Sequence, residues 1–494
     1  MQLPLTPQQA RRIATTFCTS HTAVTNFDRC PRKRFIENYW DGYGIVSAKP
    51  SMPLLVGAMV HRGVEYINSV AMDRKRFSAN AQDVLVGAIK AAKVEYTIEV
   101  KAYIASLATQ GQQPTTQEKF SFNEGIALVE TLVWVYFLKV LPGLLQGYNI
   151  LAVEKEYDIR QGEVVYQARI DAIVEDVTNH DIYAWSLKTA NAVDSRKKKF
   201  HEHDSQGMAE SWVLDHMLQE QKATARQITE GIADLLFGPK LTMPLGLPPL
   251  PDHCIGVKMC FLLKGKEWDE LPEYEGEPGL RYTNSPLVRA YRRQVGDQVQ
   301  YAHSKKFPNP ENKSGYGMLG KGWEPFYPWQ EMKVSAWIGM LAKGDIQPEC
   351  GDILDGQTWM PMPYMRDQGE VADWTRQTLV EEIRIRKNIE AASFGITDLA
   401  CKFKQNRAAC HYPTDCPCIP ICFDPQMASD PVGSGWFKQR VPHHETELQL
   451  HKHWIAEDSA KVAEAQLDQK RDLSDLAEAE QFATGTGDEV IVEE

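Results

Sequence analysis

Apolar positions recur at helical spacing from Thr22 to Tyr39 and again from Leu54 to Val70. Longer helical patterns cover 83–107 and 119–141, so roughly the first 150 residues read as a helical part. The texture changes at Asn149. Ile150 to Ile159, Val164 to Val174 and Ile182 to Lys188 are short, β-branched and aromatic. The turn-like segments RQGE and EDVTNHD separate them, which predicts three consecutive antiparallel strands. Helices are expected over Ser205 to Leu218 and Ala223 to Leu236, and a further strand over Cys254 to Lys264. Residues 265–330 are rich in Gly, Pro, Glu and Tyr and read as an insertion. Trp374 to Ala392 is an amphipathic helix. The tail is helix-prone from Ala456 and closes on ATGTGDEVIVEE, a composition that favours disorder. The expected organisation is a helical part over 1–148, an α/β core over 149–264, an accessory region over 265–372, a helix with a cysteine segment over 373–430 and an acidic tail over 431–494.

A chain of 494 residues has room for two to four structural units. It holds no uncharged apolar run long enough to span a membrane. The nearest stretch, Ile126 to Leu145, carries Glu130, Lys139 and Pro142 and reads as a buried helix. The N-terminal MQLPLTPQQARRIATTF lacks the apolar core of a secretory signal, so a cytoplasmic protein without a membrane partner is the expectation. The net charge of −12 argues against a protein that coats nucleic acid passively. It leaves room for a local basic groove, because much of the acidity lies between Glu457 and Glu494.

The segment RIDAIVEDVTNHDIYAWSLKTA reads as a hairpin centred near Thr178 and Asn179. Folding it there sets Asp171 opposite Ser186 and Arg169 opposite Lys188. Side chains alternate with period two, so an acid, a lysine and a hydroxyl share one face. A carboxylate in such a place can hold Mg²⁺, and a lysine can orient water or stabilise developing phosphate charge. A solvent-facing hairpin with an incidental ion pair has the same spacing.

Four segments, in this order, resemble the PD-(D/E)XK nuclease superfamily, in particular its RecB-like branch with a cysteine cluster, which includes CRISPR-associated and phage exonucleases. TAVTNFDRCPRKRFIENYW is similar to the opening helix with its CP pair, and LLVGAMVHRGVEYI to the Gly-x-x-x-His helix. AVEKEYDIRQGEVVYQARIDAIV with AWSLKTA resembles the core hairpin, and Ser205-Gln206 the glutamine motif. The resemblance implies a restriction-endonuclease-like core, a mixed sheet flanked by helices. It makes His61 and Asp171 metal ligands, Lys188 the catalytic lysine and Gln206 the residue that orients the lysine or the scissile phosphate. One position departs from the family: Ser186 stands where an Asp or Glu is expected two residues before the lysine. A neutral hydroxyl cannot replace a carboxylate's charge. Either the acid has migrated, with Glu154 the best candidate and Glu156 of the same parity, or catalysis is weakened. Ala168, where the family commonly has Gly, is a milder change.

Five of the ten cysteines crowd between Cys401 and Cys422. Cytosolic cysteines are rarely paired as disulfides, and the paired C-x2-C spacing of a zinc ribbon is absent. FKQNRAACHYPTDCPCIPICF resembles the C-terminal cluster motif of RecB-like nucleases. The resemblance implies a [4Fe-4S] cluster held by Cys30, Cys410, Cys416 and Cys422, with Cys401 and Cys418 as spares. The rival is a Zn²⁺ site drawn from Cys410, Cys416, Cys418 or Cys422 and His411.

Arg196, Lys197, Lys198 and Lys199 form a basic run that suits phosphate contact, although such runs are more often solvated faces. Arg289, Arg292 and Arg293, with Tyr291 between them, suit single-stranded DNA. Gly315 to Gly322 nearly matches a phosphate-binding loop, but Gly322 replaces the magnesium-binding hydroxyl, so no ATP site is expected. The expected function is a Mg²⁺- or Mn²⁺-dependent DNA nuclease, an exonuclease of phage or bacterial recombination or repair. It would act on single-stranded DNA or duplex ends, with a recombination or single-strand-binding protein as a candidate partner. The alternative is a catalytically weakened nuclease fold that binds DNA or serves assembly.

Overall fold

The computed structural model describes residues 3–191, 205–220, 254–267, 358–361, 367–411 and 415–461, with short strand segments between 273 and 326. The chain divides into two compact units, Met1–Gln439 and Arg440–Glu494.

The first unit is mixed α/β. Its sheet is built on the expected meander of β3 (Tyr148–Gln161), β4 (Val164–Asp176) and β5 (Ile182–Ala190). The hairpin register is the one the turn predicts, with Ala172 opposite Trp185. Two parallel pairings extend the sheet. β6 (Gly256–Leu263) runs alongside β5, and β1 (Cys18–Ser20) alongside the start of β4. Thr358–Trp359 adds a short antiparallel edge to β6. β3 covers one edge of β4 along its whole length. The other edge is shared in tandem, by β1 at Val165 to Gln167 and by β5 at Ala172 to Glu175. The sheet therefore forks beside residues 168–171.

Helices cover both faces. On one lie α4 (Met52–Ala71), α5 (Arg74–Thr109) and α6 (Thr116–Val135). Val60, Val64 and Ile67 of α4 and Leu128 and Leu132 of α6 bury against Ala172, Val174, Trp185 and Leu187. Gly63 permits the close helix crossing, since a Cβ there would come within 2.6 Å of Val133. On the other face the helix over 205–220, α8, packs Ala209, Val213 and Leu214 onto Ile170, Ile173, Ala184 and Val257. A third core joins the chain's distant parts: Phe35 and Ile36 of α3 (Pro31–Tyr39) pack with Ile385 and Ile389 of α9 (Gln368–Ser393) and with Phe403 and Ile421. Inside it, the buried Arg34 guanidinium donates to both Glu382 oxygens at 2.6 and 2.7 Å.

The apolar stretch Thr116–Gly147 is long enough to cross a membrane, but most of it is buried in the first core. Its helix passes through a π-helical turn at Tyr136–Val140 before continuing to Gly147. The helical pattern from Thr22 to Tyr39 breaks at Cys30, which is extended, because Pro31 opens a new helix. The described parts of the insertion are antiparallel strand pairs of two or three residues. The helix expected over Ala223 to Leu236 lies outside the described residues. In the second unit the helix is already formed at 445, well before Ala456. There the Arg440–Glu447 pair, 2.7 Å apart, is largely buried.

Candidate functional site

The site forms where the sheet exchanges its two faces. On β3, Val153 packs toward the α4–α6 side, yet Tyr157 and Ile159 pack toward α8. On β4, Ile170 packs toward α8 and Ala172 toward α4–α6, although only one residue separates them. Regular alternation would keep each of these sets on one face. The exchange centres on Glu154 and Asp171. Glu154 has φ 47°, in the left-handed region, and drops out of the ladder between the Val153–Ala172 and Lys155–Ile170 pairs. Such a conformation costs on the order of 1 kcal/mol or more in a residue with a side chain.

Asp171 sits at the fork. Its Oδ2 accepts the Leu187 N–H at 2.7 Å, an amide beyond the last ladder pair of β4 and β5. Its Oδ1 lies 3.3 Å from His61 Nδ1. His61 reaches it because Gly57, one turn earlier on α4, lets the helix come close to β5; a Cβ there would stand 3.0 Å from Thr189 Oγ1. Glu154 completes a trio with His61 and Asp171 whose ligand atoms lie within 4.8 Å of one another. Arg169 Nε holds Glu154 Oε2 at 2.9 Å and reaches Glu156 more loosely, at 3.9 Å. The two acids of equal parity thus separate: Glu154 joins the trio and Glu156 does not.

Electrostatics drives the two carboxyls apart. Burial alone would raise the Asp171 pKa, but the His61 ring, Lys188 and the Leu187 N–H outweigh it and hold it below the ordinary value. Burial and the Asp171 charge push Glu154 up to about 7, against the pull of Arg169 and His61. One imidazole nitrogen and two carboxylate oxygens on rigid elements are a donor set that fits a divalent cation.

The expected common face of Arg169, Asp171, Ser186 and Lys188 holds only in part. The β4–β5 ladder keeps the expected register but ends at Ala172–Trp185, one step before Asp171 and Ser186, and Arg169 pairs across to β3 rather than with the β5 residues. Ser186 is fully buried, and its Oγ donates to Glu210 Oε1 on α8 at 3.1 Å. Gln206 Nε2 donates to the same oxygen at 2.7 Å, so it positions Glu210. Glu210 Oε2 is buried with no hydrogen-bond partner among the described residues, an arrangement that costs about 1–3 kcal/mol. Burial raises the Glu210 pKa to about 7; Asp171 adds to the shift, while Lys188, Gln206 and Ser186 oppose it. Lys188 is half-buried, and its charge reaches both Asp171 and Glu210. Glu210 was missed in the sequence. Its signal was the spacing of four from Gln206, which puts both on one helical face.

The cysteines form a second assembly. Cys30 Sγ accepts the Asn406 N–H at 3.4 Å, so the CP element touches the C-terminal segment. After burial, Cys416 and Cys30 raise Cys410 further. Burial likewise lifts Cys422 to about 11, with Cys30 and Cys416 adding and Arg32 opposing. The four expected sulfurs therefore converge electrostatically. Cys418 lies beside them as a donor: its hydrogen bond draws Cys416 down to about 6. Cys401 is exposed and bonds Asp398, and His411 is exposed and paired with Asp415 at 2.8 Å. No three of the described cysteine sulfurs gather within 4.8 Å. Thiolates around one tetrahedral zinc, each about 2.3 Å from the ion, stand ~3.8 Å apart.

Arg196, Lys197, Lys198 and Lys199 lie outside the described residues, as do Arg289, Tyr291, Arg292, Arg293 and the loop from Gly315 to Gly322. Compared with known proteins, the chain matches no family model and no curated protein.

Proposed function

We propose that the chain is a divalent-cation-dependent deoxyribonuclease on a restriction-endonuclease-like core, an exonuclease of DNA recombination or repair. The observation that carries this reading is the trio of His61, Glu154 and Asp171 at the sheet fork, with Lys188 in electrostatic reach. A bound Mg²⁺ or Mn²⁺ would polarise the scissile phosphate and lower the pKa of a coordinated water. Asp171 and Glu154 would hold the cation by charge, and His61 orients Asp171 while its ring nitrogen could serve as a third ligand. Lys188 neutralises charge that grows on the phosphate oxygens. In the hydrolysis so supported, the hydroxyl of water would bond to phosphorus as the bond to the leaving sugar oxygen breaks, and the water's proton would pass to that oxygen. The thiols of Cys30, Cys410, Cys416 and Cys422 are a donor set that suits a [4Fe-4S] cluster, with a Zn²⁺ site as the alternative. Such a cluster would tie the N-terminal helices to the segment after α9.

End-labelled single-stranded and duplex DNA, incubated with Mg²⁺, Mn²⁺ or a chelator, tests the reading. Wild type should digest DNA only with a cation, and Lys188→Ala should be inactive with its fold intact. Undiminished digestion by Lys188→Ala overturns the site. The observation that favours the alternative role in DNA binding or assembly is Ser186, a neutral residue beside Asp171. Retention of DNA without hydrolysis under any cation would support that role.

A further inference from the structure

Ser186 leaves the proposed cation site one carboxylate short on β5, and α8 brings an acid to the same point. We propose that Glu210 supplies a further hard-oxygen ligand beside Asp171 and Glu154, with Ser186 reduced to a donor that aims it. This inference rests on the nuclease reading of the site and adds a ligand that reading does not contain.

Three observations converge. Ser186 and Asp171 are the next residues beyond Ala172–Trp185, the last pair of the hairpin ladder, and Ser186 Oγ is 3.1 Å from Glu210 Oε1. The carboxylate of Glu210 therefore stands beside the place a β5 acid would fill. Glu210 is only 5% exposed, and both of its fixed donors, Ser186 Oγ and Gln206 Nε2, act on one oxygen. Oε2 is left buried and without a hydrogen-bond partner among the described residues. A purely structural carboxylate would have both oxygens satisfied. One oxygen clamped and the other bare is the arrangement of a carboxylate prepared to bind one ion. The charged groups that bear on Glu210 are Lys188 and Asp171, and the Asp171 charge is unfavourable to it. Carboxylates that repel one another gain from a cation they share. Oxygen ligands of this kind suit Mg²⁺ or Mn²⁺.

The geometry also explains how α8 contributes. His61 approaches the fork from the α4 side of the sheet and Glu210 from the α8 side, so a shared cation would link the two helical layers through Asp171.

The test is Mn²⁺ binding to the full-length protein, followed by calorimetry and electron paramagnetic resonance, beside DNA digestion. Glu210→Gln should weaken Mn²⁺ binding at least tenfold and abolish Mn²⁺-induced thermal stabilisation. Its melting temperature without metal should be unchanged or higher, because a buried charge has been removed. The double variant Ser186→Asp with Glu210→Gln returns the acid to β5 and should recover most of the binding and digestion. A Glu210→Gln protein that binds Mn²⁺ and digests DNA as wild type does overturns the Glu210 assignment alone. If Glu210→Gln fails to fold, Glu210→Asp, which keeps the charge but shortens the reach, takes its place, and wild-type binding in that variant also overturns the assignment. A wild-type protein that neither binds Mn²⁺ nor digests DNA removes the nuclease reading and this ligand with it.

Discussion

Asp171 has two jobs that substitution can separate. Its Oδ2 accepts the Leu187 N–H at the fork, and its charge is the common element of the proposed cation site. Asp171→Ala removes both. The Leu187 amide then loses its acceptor where the ladder no longer provides one, which costs about 1–3 kcal/mol. Asp171→Asn keeps a carbonyl oxygen at the same place, so the metal-free protein should lose less than about 1 kcal/mol. The charge is gone in both, and cation affinity should fall at least tenfold in each, about 1.4 kcal/mol. Loss of the Asp171 charge also relieves its carboxyl neighbours, since it helps to raise both Glu154 and Glu210. Urea unfolding of the metal-free proteins, with slopes compared to confirm equal exposure, gives the stability difference. Mn²⁺ titration and DNA digestion give the functional one. The expected pattern is a near-normal Asn variant and a weakened Ala variant, both inactive. Equal stabilities of the two would show that the Leu187 contact carries no weight. Digestion by Asp171→Asn at the wild-type rate would refute the site.

Three further outcomes follow from the same geometry. Arg34→Met should cost about 3–5 kcal/mol, because it leaves Glu382 charged and buried, whereas Arg34→Met combined with Glu382→Leu should recover much of that; equal losses in the single and double variants would count against the pair. Protein purified without oxygen should be brown and hold about four irons per chain, and Cys410→Ser, Cys416→Ser or Cys422→Ser should bleach it; stoichiometric zinc without iron rejects the cluster. Finally, the folded pKa of Glu210 is raised from 4.5 to about 7, which is worth about 3 kcal/mol. That stability is fully present below about pH 4.5 and is lost as pH rises through about 7, so metal-free protein should weaken across this window. Glu154, also raised to about 7, contributes in the same window, so Glu210→Gln should reduce the slope without abolishing it, and a profile equally steep in that variant would assign the effect to another group.

Much of the fold was legible because it is local. Each strand of the meander carries its own apolar pattern and turn, and centring the hairpin on Thr178 and Asn179 fixed a register that the Ala172–Trp185 pair keeps. The Gly57–His61 spacing announced one face of one helix, and that face does meet the fork. What was not legible is pairing between remote segments. β1 is three residues long and finds its parallel partner some 150 residues later, so neither its length nor its composition marks it as a strand. Pro31 did mark the break between the two early helices, but the apolar spacing runs through it and hid the break. Glu210 was visible as an acid four residues after Gln206. Its meaning depended on which face of α8 meets β5, and only the packing of Ala209 and Val213 decides that.

The placement of Glu154 shows a deeper limit of periodicity. Parity gave Glu154 and Glu156 the same standing, because a strand that alternates regularly puts both on one face. On β4 an even-numbered apolar series, Val164, Tyr166, Ala168, Ile170, Ala172 and Val174, runs through the strand, with Val165 and Ile173 as further apolar residues at odd positions. Yet Tyr166 and Ile170 lie against α8, while Ala172 and Val174 lie against α4–α6. On β3, Val153, Tyr157 and Ile159 are all odd-numbered and likewise change sides. A reversal is usually betrayed by a slip in the pattern, since one face of a sheet is wet and the other dry. Here helices cover both faces, so an apolar residue is welcome on either, and the even-numbered series runs on through the exchange while Ile173 takes up the α8 face. The exchange does leave a mark in the backbone, as the positive φ of Glu154. The exchange also frees the residues at its centre from both cores. Glu154 and Asp171 stay partly accessible between two apolar layers, and this lets two carboxyls stand together with His61 in an otherwise buried sheet.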